Sequence, residues 1–217
     1  FHICMNNTIY GTKYHKLPET GDVTLVADIS SCVLSEPIDV SKFGILYAGA
    51  QKNMAPAGLT VVIIREDLIG SAMDITPTMF NYKTHADKGS MFNTPPCYSI
   101  YMCMLVLDWI KNTIGGLEEM KKINEKKSSL IYDFLDNSKL FRGTVVPKDR
   151  SLMNIPFVTG NKELDAKFVK EAEEHDLVNI KGHRTVGGMR ASVYNAMPME
   201  GVEKLVAFME EFEKNNK

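Results

Sequence analysis

The sequence predicts an α/β protein: several strands of a larger sheet, followed by a compact α+β region. Three observations carry this. Short apolar runs rich in β-branched residues recur at Val23–Ala27, Phe43–Tyr47 and Leu59–Ile64, each bounded by turn residues, which is how strands read. A long apolar stretch then runs from Tyr98 to Ile114 and reads as a helix buried on most sides. Beyond Gly115-Gly116 the pattern alternates between short strands and amphipathic helices, the signature of a separate α+β layer. The glycine pair sets the expected division: residues 1–115 as part of a large domain, residues 116–217 as a small C-terminal domain.

In chain order, Phe1 to Met5 reads as a short strand and Asn6 to Gly11 as a polar turn. Lys13 to Gly21 is a loop, punctuated by Pro18 and Gly21. Strand Val23–Ala27 ends at Asp28, and serines with Pro37 mark the loop after it. The runs Phe43–Tyr47 and Leu59–Ile64 are expected to be buried strands, joined through a small-residue turn. Leu68 to Thr94 is irregular and long, the kind of connection that carries function. After the apolar helix, Leu117 to Leu135 is amphipathic and lysine-rich. A strand Met153–Val158, a helix Leu164–His175, strands Val178–Lys181 and Met189–Val193, and a final helix from about Met199 to Glu213 complete the chain.

Composition bounds the function. The 217 residues are 44% hydrophobic and 24% charged, as in an ordinary globular protein. A net charge of -2 gives no reason to expect nucleic acid or an anionic membrane as partner, and no apolar run has the length of a membrane span. Cys4, Cys32, Cys97 and Cys103 form no C-x-x-C pair, and the five histidines make no metal box. The cysteines lie in apolar sequence and are expected to be reduced core residues in a reducing compartment, the cytoplasm. Cys32 is near the candidate site and is either reactive or buried and inert. Phe1-His2-Ile3-Cys4-Met5 starts without methionine, resembles the middle of a strand and not a signal peptide, and predicts that a portion of the natural protein precedes it.

Four constellations carry possible chemistry. Lys52 sits in Ala48-Gly49-Ala50-Gln51-Lys52-Asn53, where small residues let a flat ligand approach the backbone. Partial desolvation there would lower its pKa and free its lone pair for attack on a carbonyl, the requirement of a Schiff-base lysine; the alternative is a surface hairpin lysine. Asp28, at a strand end, would pair with a protonated ring nitrogen or, structurally, with Lys52 itself. Asn93-Thr94-Pro95-Pro96 precedes the apolar helix and would either cap it or hold a phosphate. Gly182 to Arg190 gathers His183, Arg184 and Arg190 around Gly187-Gly188, either as a solvated basic loop or as a site for a substrate with two or three anionic groups.

These four segments, with Pro56-Ala57-Gly58 and Tyr194-Asn195-Ala196, resemble the phosphoserine aminotransferases in order and spacing, over essentially the whole chain. That family is class V and fold type I: homodimeric pyridoxal 5'-phosphate enzymes with shared active sites. They exchange an amino group between L-glutamate and 3-phosphohydroxypyruvate, giving O-phospho-L-serine and 2-oxoglutarate in serine biosynthesis. The resemblance implies Lys52 as the Schiff-base lysine and general base, Asp28 on the pyridinium, Gln51 on the cofactor phosphate and Thr8 on the ring hydroxyl. Asn93 and Thr94 would reach the partner subunit's cofactor phosphate. Arg190 would bind the substrate α-carboxylate, and His183 and Arg184 the distal phosphate or carboxylate. Family members carry an N-terminal portion that this chain lacks, with the glycine-rich phosphate cradle and a ring-stacking aromatic. Two other readings stand beside this one: a non-catalytic fragment that keeps the dimer contacts, and a transaminase of the same fold with another acidic substrate.

Overall fold

The computed structural model describes residues 1–216. Strands β1 (His2–Cys4), β4 (Val26–Asp28), β5 (Ile45–Gly49) and β6 (Thr60–Ile64) form a sheet in the order β1-β4-β5-β6. The first three run parallel and β6 pairs antiparallel with β5. Between β1 and β4, β2 (Asn6–Asn7) and β3 (Thr12–Lys13) form a small antiparallel hairpin. The expected turn at Asn6 to Gly11 is therefore partly the rung and loop of this hairpin.

Two apolar segments differ from expectation. Leu59–Ile64 is a strand but not a buried one: β6 is the sheet edge, and Val62 and Ile63 are exposed. β-branched composition favours a pleated conformation without deciding between centre and edge. The apolar helix is α2 (Cys97–Asp108), continued as a π-helix Trp109–Ile114 that Gly115 ends at φ 95°. It is not buried on most sides. Ser99, Cys103 and Ile110 are buried, while Tyr98, Ile100, Tyr101, Met104, Leu105 and Leu107 are exposed. An apolar helix reports that its faces suit burial, not that this chain alone covers them. Before α2, the irregular connection contains a 3-10 turn at Thr78–Phe80 and one short α-helix, α1 (Tyr82–Asp87).

The second half holds α3 (Leu117–Asn137), β7 (Arg142–Gly143), β8 (Asn154–Val158), α4 (Lys162–Glu174), β9 (Met189–Ser192) and α5 (Met199–Asn215). The strands make an antiparallel sheet β7-β8-β9. Val178–Lys181 is not a strand; Lys181 makes only an isolated bridge to Met189. Asn161 caps α4 by accepting from the N–H groups of Glu163 and Leu164. The buried apolar residues fall into two clusters. One lies around Ile3, Ala27, Leu46 and Met54, the other around Ile131, Phe157, Phe168 and Met209.

The cysteines divide. Cys32 and Cys103 are buried, but Cys4 and Cys97 are exposed, so the four are not all core residues; all are free thiols. Burial pushes the Cys32 thiol up to about 12, which keeps it protonated and inert. Among the described residues no helix is long and apolar enough to cross a membrane.

Gly11 closes the β2–β3 hairpin at φ 67°, in the left-handed region. A Cβ there would lie 2.2 Å from Pro156 Cδ and 2.7 Å from the Asn154 carbonyl oxygen. Gly11→Ala is expected to destabilise by roughly 2–4 kcal/mol, from left-handed strain plus overpacking against β8. Urea unfolding measures this; an unchanged midpoint would mean the hairpin is not seated on β8.

Candidate active site

The site gathers where parallel strands end, the usual place for ligand contacts in an α/β sheet. Asp28 closes β4 between Cys4 on β1 and Tyr47 on β5, its neighbours in register. Its carboxylate accepts from the Ser30 N–H at 2.8 Å. Lys52 follows β5 in a tight turn, in which the N–H groups of Met54 and Ala55 both donate to Ala50 O. The half-buried ammonium donates to the Thr8 hydroxyl at 2.8 Å. Among the described residues it makes no ion pair, so the structural Asp28–Lys52 bridge is not formed. Both charges nonetheless act on one thiol. Partial burial raises the Cys4 thiol, Asp28 raises it further and Lys52 lowers it.

Thr8 is the common partner. It stands in the hairpin loop, where Asn7 Oδ1 accepts from the N–H groups of Ile9 and Tyr10. Arg190, on β9, donates through one terminal nitrogen to the Thr8 carbonyl at 3.3 Å. Its Nε is buried with no partner among the described residues. A buried guanidinium nitrogen without an acceptor is costly, and an anion placed there would relieve it. Tyr194, just past β9, accepts from Asn154 Nδ2 at 3.1 Å; burial, the larger effect, raises its hydroxyl. Asn154 Oδ1 in turn accepts from Asn6 Nδ2 at 3.0 Å. A cavity of about 410 Å³ opens on the Lys52 turn, walled by Met54, Leu105, Trp109 and Asn195.

The structure thus brings Lys52 and Arg190 onto Thr8, with Asp28 at the end of β4, where its carbonyl accepts from the Met5 N–H. It does not bring the others to them. Gln51 is exposed beside Lys52, with its amide near the Gly49 Cα. Asn93 and Thr94 are exposed, and neither caps α2, whose N-cap is Pro96 without a side-chain bond. Proline fixes the chain direction there and leaves the two polar side chains outside the first turn. His183 Nδ1 contacts Thr185 Oγ1 at 2.8 Å, and Arg184 is exposed. Their loop folds on itself, with the Gly182 N–H donating to Gly188 O; a Cβ at Gly182 would lie 2.0 Å from Gly187 O.

Residue patterns missed Tyr194, Asn154 and Asn53 as parts of the site. Asn154 had a signal: an amide at the start of an otherwise apolar strand. Tyr194 and Asn53 lie in segments that carry the family resemblance, but nothing local marks their contacts, because their partners are distant in sequence.

The family model Aminotransferase class-V matches residues 1–205, and the chain belongs to that family. The chain is 57% identical over 216 residues to the phosphoserine aminotransferase of Bacillus cereus (strain ATCC 10987 / NRS 248), covering 100% of this chain and 60% of that protein. Its fold is similar to the phosphoserine aminotransferase structure from Bacillus circulans subsp. alkalophilus, with a TM-score of 0.96 at 48% identity, covering 100% of this chain and 60% of the other. The phosphoserine aminotransferase from Trichomonas vaginalis, solved with pyridoxal phosphate bound, superposes with a TM-score of 0.92 at 38% identity, covering 97% and 60%. The chain therefore spans about 60% of the length of these relatives.

Removing the Asn154 amide leaves Asn6 Nδ2 and the Tyr194 hydroxyl each short of a partner in a buried setting. Asn154→Ala is expected to cost about 2–3 kcal/mol, read as a lower thermal midpoint. A cost well below that would mean water replaces the amide and the network does not hold Thr8.

Proposed function

We propose that this chain carries the cofactor lysine of a pyridoxal 5'-phosphate-dependent phosphoserine transaminase. The reaction moves an amino group between L-glutamate and 3-phosphohydroxypyruvate, giving O-phospho-L-serine and 2-oxoglutarate. One observation carries the reading: the Lys52 amine rests on a neutral hydroxyl, with a strand-end carboxylate and an under-partnered arginine around the same hairpin. An amine committed to an acid would not be free to act; this one is free.

The residues present suit the cofactor. Lys52 would hold it covalently, Asp28 would keep its ring nitrogen protonated, and Thr8 would reach its ring hydroxyl. Gln51 would contact its phosphate, and Asn93 and Thr94 would contact the phosphate held in a partner subunit. When bound, pyridoxal phosphate supplies an electron sink for negative charge at the substrate Cα. Arg190 binds the substrate α-carboxylate bidentately, which brings Cα towards Lys52. The Lys52 amine, once released, takes and returns the Cα proton as general base and acid. Thr8 steers that amine by accepting a hydrogen bond from it. His183 and Arg184 serve the second anionic group, the phosphate or the distal carboxylate.

A homodimer with shared sites follows from the same reading. The exposed apolar face of α2, with Asn93 and Thr94 just before it, is the surface that favours association. Residues 1–115 would then belong to the large cofactor domain and residues 116–217 to the small one, each with its own apolar cluster, in a cytoplasmic enzyme.

In the full-length protein, Lys52→Ala is expected to abolish the visible absorption band of the bound cofactor and reduce turnover by at least about 10³-fold. A retained band would reassign the lysine. Arg190→Ala should lower kcat/KM for every amino or keto acid by about 10²-fold, whereas His183→Ala and Arg184→Ala should hurt only phosphorylated or dicarboxylic ones. Equal losses on alanine and phosphoserine from the His183 or Arg184 change would overturn the two-site anion map.

A further inference from the structure

Lys127 sits in the middle of α3 and is fully buried, at 0% exposure. It falls on the helix stripe that otherwise carries Met120, Ile131 and Leu135, where an apolar residue would pack without cost. No carboxylate pairs with it among the described residues. An isolated buried ammonium is expensive, and burial pulls this one down to about 8. Its compensation is a set of main-chain carbonyls. Nζ donates to the oxygens of Tyr194 at 2.8 Å, Met197 at 3.1 Å, Val193 at 3.3 Å and Asn195 at 3.5 Å. All four belong to the irregular segment that leaves β9.

That segment leads to the site. The Asn195 N–H donates to Asn53 Oδ1 at 3.0 Å, and Asn53 is the residue after Lys52. Asn53 Nδ2 donates to Val33 O, Asn195 Nδ2 to Leu34 O and Asn124 Nδ2 to Ser35 O, each within 3.0 Å. These three carbonyls flank Leu34, whose φ of 61° is strained for a leucine. Asn124 lies one helical turn before Lys127 and also donates to Asn195 Oδ1 at 2.9 Å. Helix α3 therefore grips the post-β9 segment with a cation and an amide, and that segment grips the lysine turn.

We propose that Lys127, which touches neither substrate nor cofactor, is a positioning residue for the Lys52 turn, acting through the 193–197 carbonyls, Asn195 and Asn53. A neutral side chain at 127 releases the carbonyls, lets Asn195 drift from Asn53 and widens the range of positions open to the Lys52 amine. The proposal rests on Lys52 being the working amine of the transaminase.

The test uses the full-length, cofactor-loaded protein with Lys127→Met and Asn53→Ala, singly and together. Lys127→Met is expected to lower kcat about tenfold with KM within about twofold, since geometry and not substrate affinity is lost. Asn53→Ala, which leaves the buried ammonium in place, should give a similar loss in kcat. The double variant should fall little further, because the two act along one path. Loss of folded protein alone would lower the active fraction and leave the kcat of the remaining active sites unchanged, once titrated by bound cofactor. Additive losses, or an Asn53→Ala kcat equal to wild type, would overturn the proposal, and the latter holds even where Lys127→Met does not fold. A separate readout is amide exchange at Asn195, expected to quicken about tenfold in Lys127→Met. If wild type fails to turn over the proposed substrates, the functional reading falls while amide exchange still decides the Lys127 link. Unchanged exchange at Asn195 would overturn that link by itself.

Discussion

The contact between the Lys52 ammonium and the Thr8 hydroxyl, 2.8 Å long, depends on a four-residue hairpin loop being held still. That loop is fastened from both halves of the chain. From the first half it continues β1, and Asn6 is tied to Ser31 by a 2.8 Å bond. From the second half, Gly11 lies against Pro156, the Ser151 N–H donates to Gly11 O, and Arg190 reaches the Thr8 carbonyl. The amine therefore senses the register of two sheets through one hydroxyl.

Polar side chains make much of the join. Asn6, Asn53, Asn124, Asn154 and Asn195 are all buried and all bond across it. Amides are directional, so they specify one arrangement where apolar packing would accept several. The cost is that each must be satisfied, and Asn124 Oδ1 is left without a partner among the described residues. Lys127 extends the same logic with a charge, spending its desolvation on a segment with no regular structure of its own.

Helix α2 presents the opposite situation. Its apolar side chains face outward, and the edge strand β6 adds exposed Val62 and Ile63. Surfaces of this composition are suited to being covered. Asn93 and Thr94 stand just before that helix, so whatever covers α2 also fixes where those two polar groups can act.

The sequence by itself determined the element types and most of their order. β-branched runs made strands, the Gly115-Gly116 pair ended a helix, and the amphipathic stripes of α3, α4 and α5 faced inward as their periods required. It also marked Lys52 and Asp28, because a lysine among small residues and an acid at a strand end are local signals. Only the tertiary structure decided the rest. It turned β6 into an edge, left α2 uncovered, exposed Cys4 and Cys97, and drew Thr8, Asn154, Tyr194 and Lys127 into one region. The physical reason is range: propensity and periodicity act over a few residues, whereas burial depends on what packs alongside from elsewhere in the chain, and the gathering of these side chains rests on hydrogen bonds between groups from about 40 to 180 positions apart.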